Sequence, residues 1–195
     1  TNEINRLLIV DTVLKRAMKG EINLFEQAKE VVDKLNVEAD HKFEIKGYYE
    51  ERRENVQNFK DAVLMILGVA SNKFKRKFAF EQEIWMNISD MIMLLYATEA
   101  TLARVHKMEL KKEENQENGY EELKLYKDIL NVYLYDSAAK IKKAGEDAIN
   151  SFAEGKEQEL MLEALARFTK VSPVNVKEAR KALAEKLIED NMYKF

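Results

Sequence analysis

Val56-Gln-Asn-Phe59-Lys-Asp-Ala-Val63-Leu-Met-Ile66-Leu67-Gly-Val-Ala70-Ser-Asn-Lys-Phe74 returns to an apolar residue every three or four positions, the step that keeps side chains on one face of an α-helix. Downstream, Phe80, Ile84, Ile88, Met91, Leu95 and Leu102 repeat the pattern, as do Leu123, Tyr126, Leu130, Tyr133, Ile141, Ala144, Ala148 and Phe152. No segment alternates with the period of two that a strand requires, and one Pro and six Gly in 195 residues leave little material for the reversals of a sheet. The expected fold is all-α: an up-and-down bundle of about four to five helices, preceded by the terminal helix of an upstream α domain.

Polar Glu113 to Gly119, ending in Asn-Gly, reads as the loop between the second and third long helices. Two shorter helices close the chain. Leu160, Leu162, Leu165 and Phe168 mark the first, broken by Ser172-Pro173, and Asn175 with Glu178 three residues later opens the second, which runs to about Glu189. Tyr193 and Phe195 are candidate anchors of the C-terminus. Towards the N-terminus, Leu24, Ala28, Val31, Val32 and Leu35 form a short amphipathic piece followed by polar Asn36 to Lys42, read as a loosely packed connector. Before it, Ile4, Leu7, Leu8, Val13, Leu14 and Met18 share a helix face that Gly20 closes as a left-handed cap. The expected division is 1–20, a terminal helix of another domain; 21–47, a connector; and 48–195, a helical domain.

The chain is 46% apolar and 34% charged, the balance of a folded, charge-dressed protein. A net charge of -3 gives no bulk attraction to nucleic acid, so no nucleic-acid partner is expected. Without Cys there is no disulfide, thiolate catalysis or Cys-ligated metal. The longest strongly apolar segment, Ala62 to Ala70, falls far short of the roughly 20 residues a membrane span needs.

Thr1-Asn2-Glu3-Ile4-Asn5-Arg6-Leu7-Leu8-Ile9 resembles the segment that follows the catalytic Glu-Gly pair in acyl-CoA dehydrogenases. The helical chain beyond it, residues 21–195, resembles the extra C-terminal domain of the very-long-chain branch, and the acidic Glu3 leans the same way. The resemblance implies a parent that oxidises acyl-CoA to trans-2-enoyl-CoA in fatty acid β-oxidation. There a Glu takes the α-proton while FAD accepts the β-hydrogen as hydride. The base would lie two residues before Thr1, outside this chain, so no catalytic residue is assigned here and the fragment alone is expected to be inactive. Thr1, Asn2 and Glu3 align with flavin-contacting positions. FAD is the implied cofactor of the parent, not expected to stay on the fragment. Implied partners are the parent's own catalytic domains, acyl-CoA, further copies in a homo-oligomer, and a membrane surface touched peripherally. The implied compartment is cytoplasmic in a bacterium or mitochondrial in a eukaryote. A plainer reading of Thr1-Asn2-Glu3 is an ordinary helix start that exploits the dipole, and both can hold at once.

Glu38 and His41 have the Glu-x-x-His spacing of bundle di-metal sites, but no second pair exists, because Ala103 stands three before His106. No metal site is expected. His41 reads as exposed, and His106 as the polar terminus of an apolar helix. Lys73, Lys75, Arg76 and Lys77 interleave with Phe74 and Phe78. They form either a contact for an acidic surface, such as lipid headgroups, or a solvated helix end whose two aromatics face the core. Met86, Met91, Met93 and Met108 with Trp85 and Tyr96 read as core filling rather than the lining of an acyl tunnel. Lys140, Lys142 and Lys143 beside Glu146 and Asp147 read as a charged outer face, and Asn87-Ile-Ser89 as a glycosylation spacing hidden in a helix. The second reading of the whole chain is a non-enzymatic helical module for docking or oligomerisation.

Overall fold

The computed structural model describes residues 1–35, 47–115 and 120–192. Helices α1 (Asn2–Met18), α2 (Leu24–Leu35), α3 (Tyr48–Phe74), α4 (Gln82–Asn115), α5 (Tyr120–Phe152), α6 (Gly155–Phe168) and α7 (Val176–Asp190) follow in order, with a 3-10 turn at Lys75–Phe80 between α3 and α4. No strand occurs among the described residues, so the all-α expectation holds. Helices α4 and α5 share the largest interface. Helix α1 lies on α4, α2 on α3, and α7 on α5, while α6 fills the space against α3 and α5.

Local chemistry explains where helices stop. Gly20 takes φ +73°, its N–H donates to the Ala17 carbonyl at 3.0 Å, and the Glu21 N–H donates to Arg16 at 3.0 Å. This is the paired hydrogen-bond closure that a left-handed Gly provides. At α7, Asn175 Oδ1 accepts from the Glu178 N–H at 3.2 Å, as the sequence spacing predicts.

The main core is assembled from the apolar faces of the three long helices α3, α4 and α5, the shorter α2 and α6, and the inner face of α1. Val10, Phe59, Met65, Ile66, Ile88, Met91, Ile141, Ile149 and Leu165 are all fully buried. Each such side chain contributes about 1.5–3 kcal/mol through removal from water. A smaller cluster of Val56, Leu102, Val105, Tyr126 and Leu130 ties the far ends of α3, α4 and α5.

Five expectations need correction. The connector is not loosely packed along α2, where Leu24, Ala28 and Val31 are buried. A Cβ added to Gly68 of α3 would come within 2.8 Å of the Ala28 Cβ, so two small residues let these helices meet closely. Phe80 is 81% exposed because it ends the 3-10 turn, whose three-residue period takes it off the stripe that Ile84 begins. Helix α4 continues through Asn115, so Glu113 and Glu114 are helical rather than loop, and His106 sits well inside the helix rather than at its end. Of the Met-rich stripe, Trp85 and Met91 join the core, but Met93 (40%) and Tyr96 (73%) are exposed on the opposite side of α4. The readings placed on Asn36 to Lys42 with Glu38 and His41, on the rest of the loop to Gly119, and on Tyr193 and Phe195 lie outside the described residues.

Candidate functional site

Thr1 is the N-cap of α1, and its side chain makes no capping hydrogen bond. The first N–H groups of a helix have no partner within it, so this end presents donors and the positive end of the helix dipole to whatever approaches. Thr1, Asn2 and Glu3 are all exposed there. Glu3 is held from behind: Arg6 Nη1 donates to its Oε2 at 3.2 Å, and Arg6 Nη2 donates to Asp90 of α4. Asp90 also lines a groove of about 650 Å³ between α4 and α5, floored by Met93, Leu94, Ala97, Tyr133 and Ala144 and rimmed by Asn87, Lys140, Lys143 and Asp147. The exposed turn of α1 and this groove are therefore linked through the Arg6–Asp90 ion pair. The lysines keep to the outer surface as expected, with Lys143 paired to Asp147 at 2.5 Å and Lys142 near Glu146 at 3.8 Å.

The basic run divides. Lys73 Nζ donates to the Phe152 carbonyl and so closes the C-terminal end of α5, where a cation complements the dipole. Phe74 and Phe78 stack with ring centroids 6.3 Å apart, Phe78 meets Trp85 edge-on at 5.7 Å, and Phe74 meets Phe152 at 6.3 Å. The aromatics thus belong to the core side. Lys75, Arg76 and Lys77 point outward, exposed, with no ion pair among the described residues. Lys75 adopts φ +51°, a left-handed backbone that costs an L-residue about 1–3 kcal/mol. No hydrogen bond or ion pair among the described residues joins this run to Thr1, Asn2 or Glu3.

A polar constellation missed in the sequence lies where α3 begins. Tyr48 and Tyr49 pack edge to face at 5.0 Å, and Arg52 lies over the Tyr48 ring at 3.6 Å. Arg52 also donates twice to Asn131 Oδ1, at 3.1 and 2.9 Å, and to the Tyr48 carbonyl at 3.0 Å. The Tyr48 hydroxyl donates to Asn131 Oδ1 at 3.0 Å. Tyr49 rests on the His106 ring at 4.4 Å, and Lys127 pairs with Glu109 at 2.7 Å. Burial pushes the Tyr48 hydroxyl up to about 12, against the opposing pull of Arg52. Burial raises Tyr49 as well, helped by the neighbouring Glu109 carboxylate. For Glu109, burial works upward, but the Lys127 ammonium bonded to it and the neighbouring Tyr49 hydroxyl outweigh burial and hold it below the usual carboxylate range. The Tyr49 hydroxyl and Glu109 Oε2 are both buried without a hydrogen-bond partner. The only sequence signal was Tyr48 one helical turn before Arg52. Glu109, Lys127 and Asn131 join from other helices and leave no local pattern.

Among the described residues no group of three or more His, Cys, Asp or Glu could hold a metal ion, and no helix is long and apolar enough to cross a membrane.

Fold and site together define an all-α helical bundle with one exposed helix N-terminus. The sequence profile described as "Acyl-CoA dehydrogenase, C-terminal domain" matches residues 58–167, from within α3 through most of α6 and more than half of the chain, and the chain belongs to this family. A probable acyl-CoA dehydrogenase of Bacillus subtilis (strain 168) is 30% identical over 193 residues, which are 99% of this chain and 31% of that protein. The crystal structure of an acyl-CoA dehydrogenase complexed with FAD from Bacillus anthracis superposes with a TM-score of 0.89 at 29% identity, over 100% of this chain and 32% of that one. The chain thus spans about a third of the length of the relatives it matches.

Proposed function

We propose that this chain is the C-terminal part of an FAD-dependent acyl-CoA dehydrogenase of the very-long-chain type, whose parent oxidises acyl-CoA to trans-2-enoyl-CoA in fatty acid β-oxidation. The observation that carries the reading is the match along the whole chain to an acyl-CoA dehydrogenase complexed with FAD, with α1 included in the superposition. Residues 1–20 would then be the last helix of the catalytic α domain, 21–47 a connector, and 48–195 an extension that docks on the catalytic domains and serves assembly of a homo-oligomer. The parent would work in the cytoplasm of a bacterium or the mitochondrion of a eukaryote.

The residues present fit a place at the edge of the cofactor. The Thr1 hydroxyl is not committed to a cap, and the donors of the first turn of α1 face outward. Such an end suits a dinucleotide phosphate. When bound, FAD would supply the hydride acceptor. The chain's own contribution is to hold Thr1, Asn2 and Glu3 at that edge while the bundle keeps α1 in place through Val10 and Ala17. Ile4 (69%), Leu8 (54%) and Met18 (71%) stay exposed on the outer side of α1, which supports a surface covered by the rest of the parent. Lys75, Arg76 and Lys77 with exposed Phe80 support contact with an acidic surface such as a membrane, Lys73 being engaged within the fold.

The test is to express the gene with its upstream coding sequence and to follow flavin absorbance and acyl-CoA-dependent reduction of an electron acceptor. A flavin-loaded, active parent beside an inactive fragment 1–195 is the expected result. A parent without flavin, or a fragment that turns over alone, overturns it and leaves the docking module as the reading.

A further inference from the structure

We propose that Arg6 is a positioning residue: it ties the flavin-facing first turn of α1 to the helical extension through Asp90, so that the extension helps set how tightly the parent holds FAD. The inference rests on the reading of Thr1 to Glu3 given above and adds to it a physical link to α4.

One guanidinium serves carboxylates on two helices that are far apart in sequence. Arg6 Nη1 donates to Glu3 at 3.2 Å and Nη2 donates to Asp90, while the Arg6 Nε is buried without a partner. The Arg6 side chain is 24% exposed, against 65% for Glu3 and 36% for Asp90, so the cation lies beneath the two anions it joins. The planar fork of Arg makes such a bridge possible, and the single ammonium of Lys cannot reproduce it.

Two consequences follow for the end of α1. The first concerns orientation. Ile4 and Leu8 are mostly exposed, the apolar anchoring begins with half-buried Leu7 and continues at Val10 and Ala17, and Arg6 is the polar tie closest to Thr1. The second concerns charge. An acidic Glu3 in the first turn suits the helix dipole but would oppose an anionic group arriving at the same end. With its carboxylate paired to Arg6, Glu3 leaves the N–H donors free to act on that anion. Asp90 belongs to the segment 58–167 that defines the family domain, so this pair couples the accessory domain to the cofactor edge.

The experiment uses the full-length parent and reads FAD dissociation constants, from the recovery of flavin fluorescence on dilution, beside thermal midpoints. Asp90→Asn and Arg6→Lys should each weaken FAD binding about three- to tenfold. The double exchange Arg6→Asp with Asp90→Arg restores opposite charges between α1 and α4, but sets two carboxylates three residues apart in the first turn. It should recover the midpoint without recovering the affinity, which a purely structural role for the pair would not produce. Wild-type FAD affinity in Asp90→Asn, or recovery of both quantities in the double exchange, overturns the inference and leaves the functional reading intact. A wild-type parent that holds no FAD overturns both.

Discussion

The two polar corners of the molecule both contain Arg, Glu and Asn and do opposite things with them. At the start of α3, Tyr48, Tyr49, Arg52, Glu109, Lys127 and Asn131 are drawn from three helices into a set in which Tyr48, Arg52 and Lys127 all donate within the group, while the Tyr49 hydroxyl and Glu109 Oε2 stay unpaired. At the start of α1, Thr1, Asn2 and Glu3 remain exposed, Thr1 makes no cap, and one guanidinium does all the joining. A half-buried network whose members mostly bond one another stabilises a fold and has less left to offer a ligand. An end with free donors has little to lose by taking one. That contrast is the reason for proposing the cofactor edge at α1 rather than at the α3 corner, although it is the α3 corner that holds the perturbed side chains.

The largest effect that would break this contrast is expected at Arg52. Arg52→Ala leaves Asn131 Oδ1 and the Tyr48 carbonyl short of donors and uncovers the Tyr48 ring, and should cost about 2–4 kcal/mol in urea denaturation of fragment 1–195. If the variant is as stable as the wild type, the corner is not a structural network and becomes the better candidate site.

The same corner should also govern the response to pH. Glu109 is held below its ordinary range, so the folded chain binds fewer protons there than the unfolded one does. Its stabilising contribution is complete above the unfolded carboxylate range and is lost as pH falls through the lowered folded value. Glu109→Gln should flatten the acid side of the stability profile. Tyr48 works in reverse: with its hydroxyl at about 12 in the fold, stability should decline from the ordinary tyrosine range near 10 up to that value, as the unfolded chain ionises first. Tyr48→Phe should remove that part of the alkaline loss. Profiles unchanged in both variants would show that neither group is coupled to folding.

A smaller effect belongs to the open surface. Lys75→Gly relieves the left-handed backbone at φ +51° and should raise stability by up to about 1 kcal/mol, less than the strain relieved because Gly also frees the unfolded chain. A loss of stability would mean that the Lys75 side chain makes a contact worth more than its strain.

What could be read from the sequence follows the range of the interactions. The stripes of α3 and α5, the closure at Gly20, the break at Ser172-Pro173 and the cap at Asn175 are set by neighbours a few residues apart, and each is found where the residues place it, whereas on α1 Ile4, Leu8 and Met18 are exposed and Val10 and Ala17 are the buried residues. Phe80 was misplaced because its spacing continues the α4 stripe, whereas the 3-10 turn before α4 follows a different period. The packing of α2 turned on Gly68 meeting Ala28, a match of two small residues that no periodicity records. At the α1 corner, Glu3 and Arg6 are one turn apart and legible. Asp90 is not, since nothing local distinguishes it from any other acidic residue on the polar face of α4.

The smallest effect makes the sharpest comparison, because it sets two helix N-caps side by side. Asn175 bonds the Glu178 N–H, and Asn175→Ala should cost about 1 kcal/mol, the ordinary worth of a cap. Thr1 makes no such bond, so Thr1→Ala should change the stability of fragment 1–195 by a few tenths of a kcal/mol at most. A hydroxyl that does nothing for its own helix is free for another acceptor, so the same substitution in the full-length parent should weaken FAD binding while leaving the fragment's midpoint where it was. If Thr1→Ala instead costs as much as Asn175→Ala, Thr1 is an ordinary cap in solution, and the first turn of α1 has no donor to spare for the cofactor.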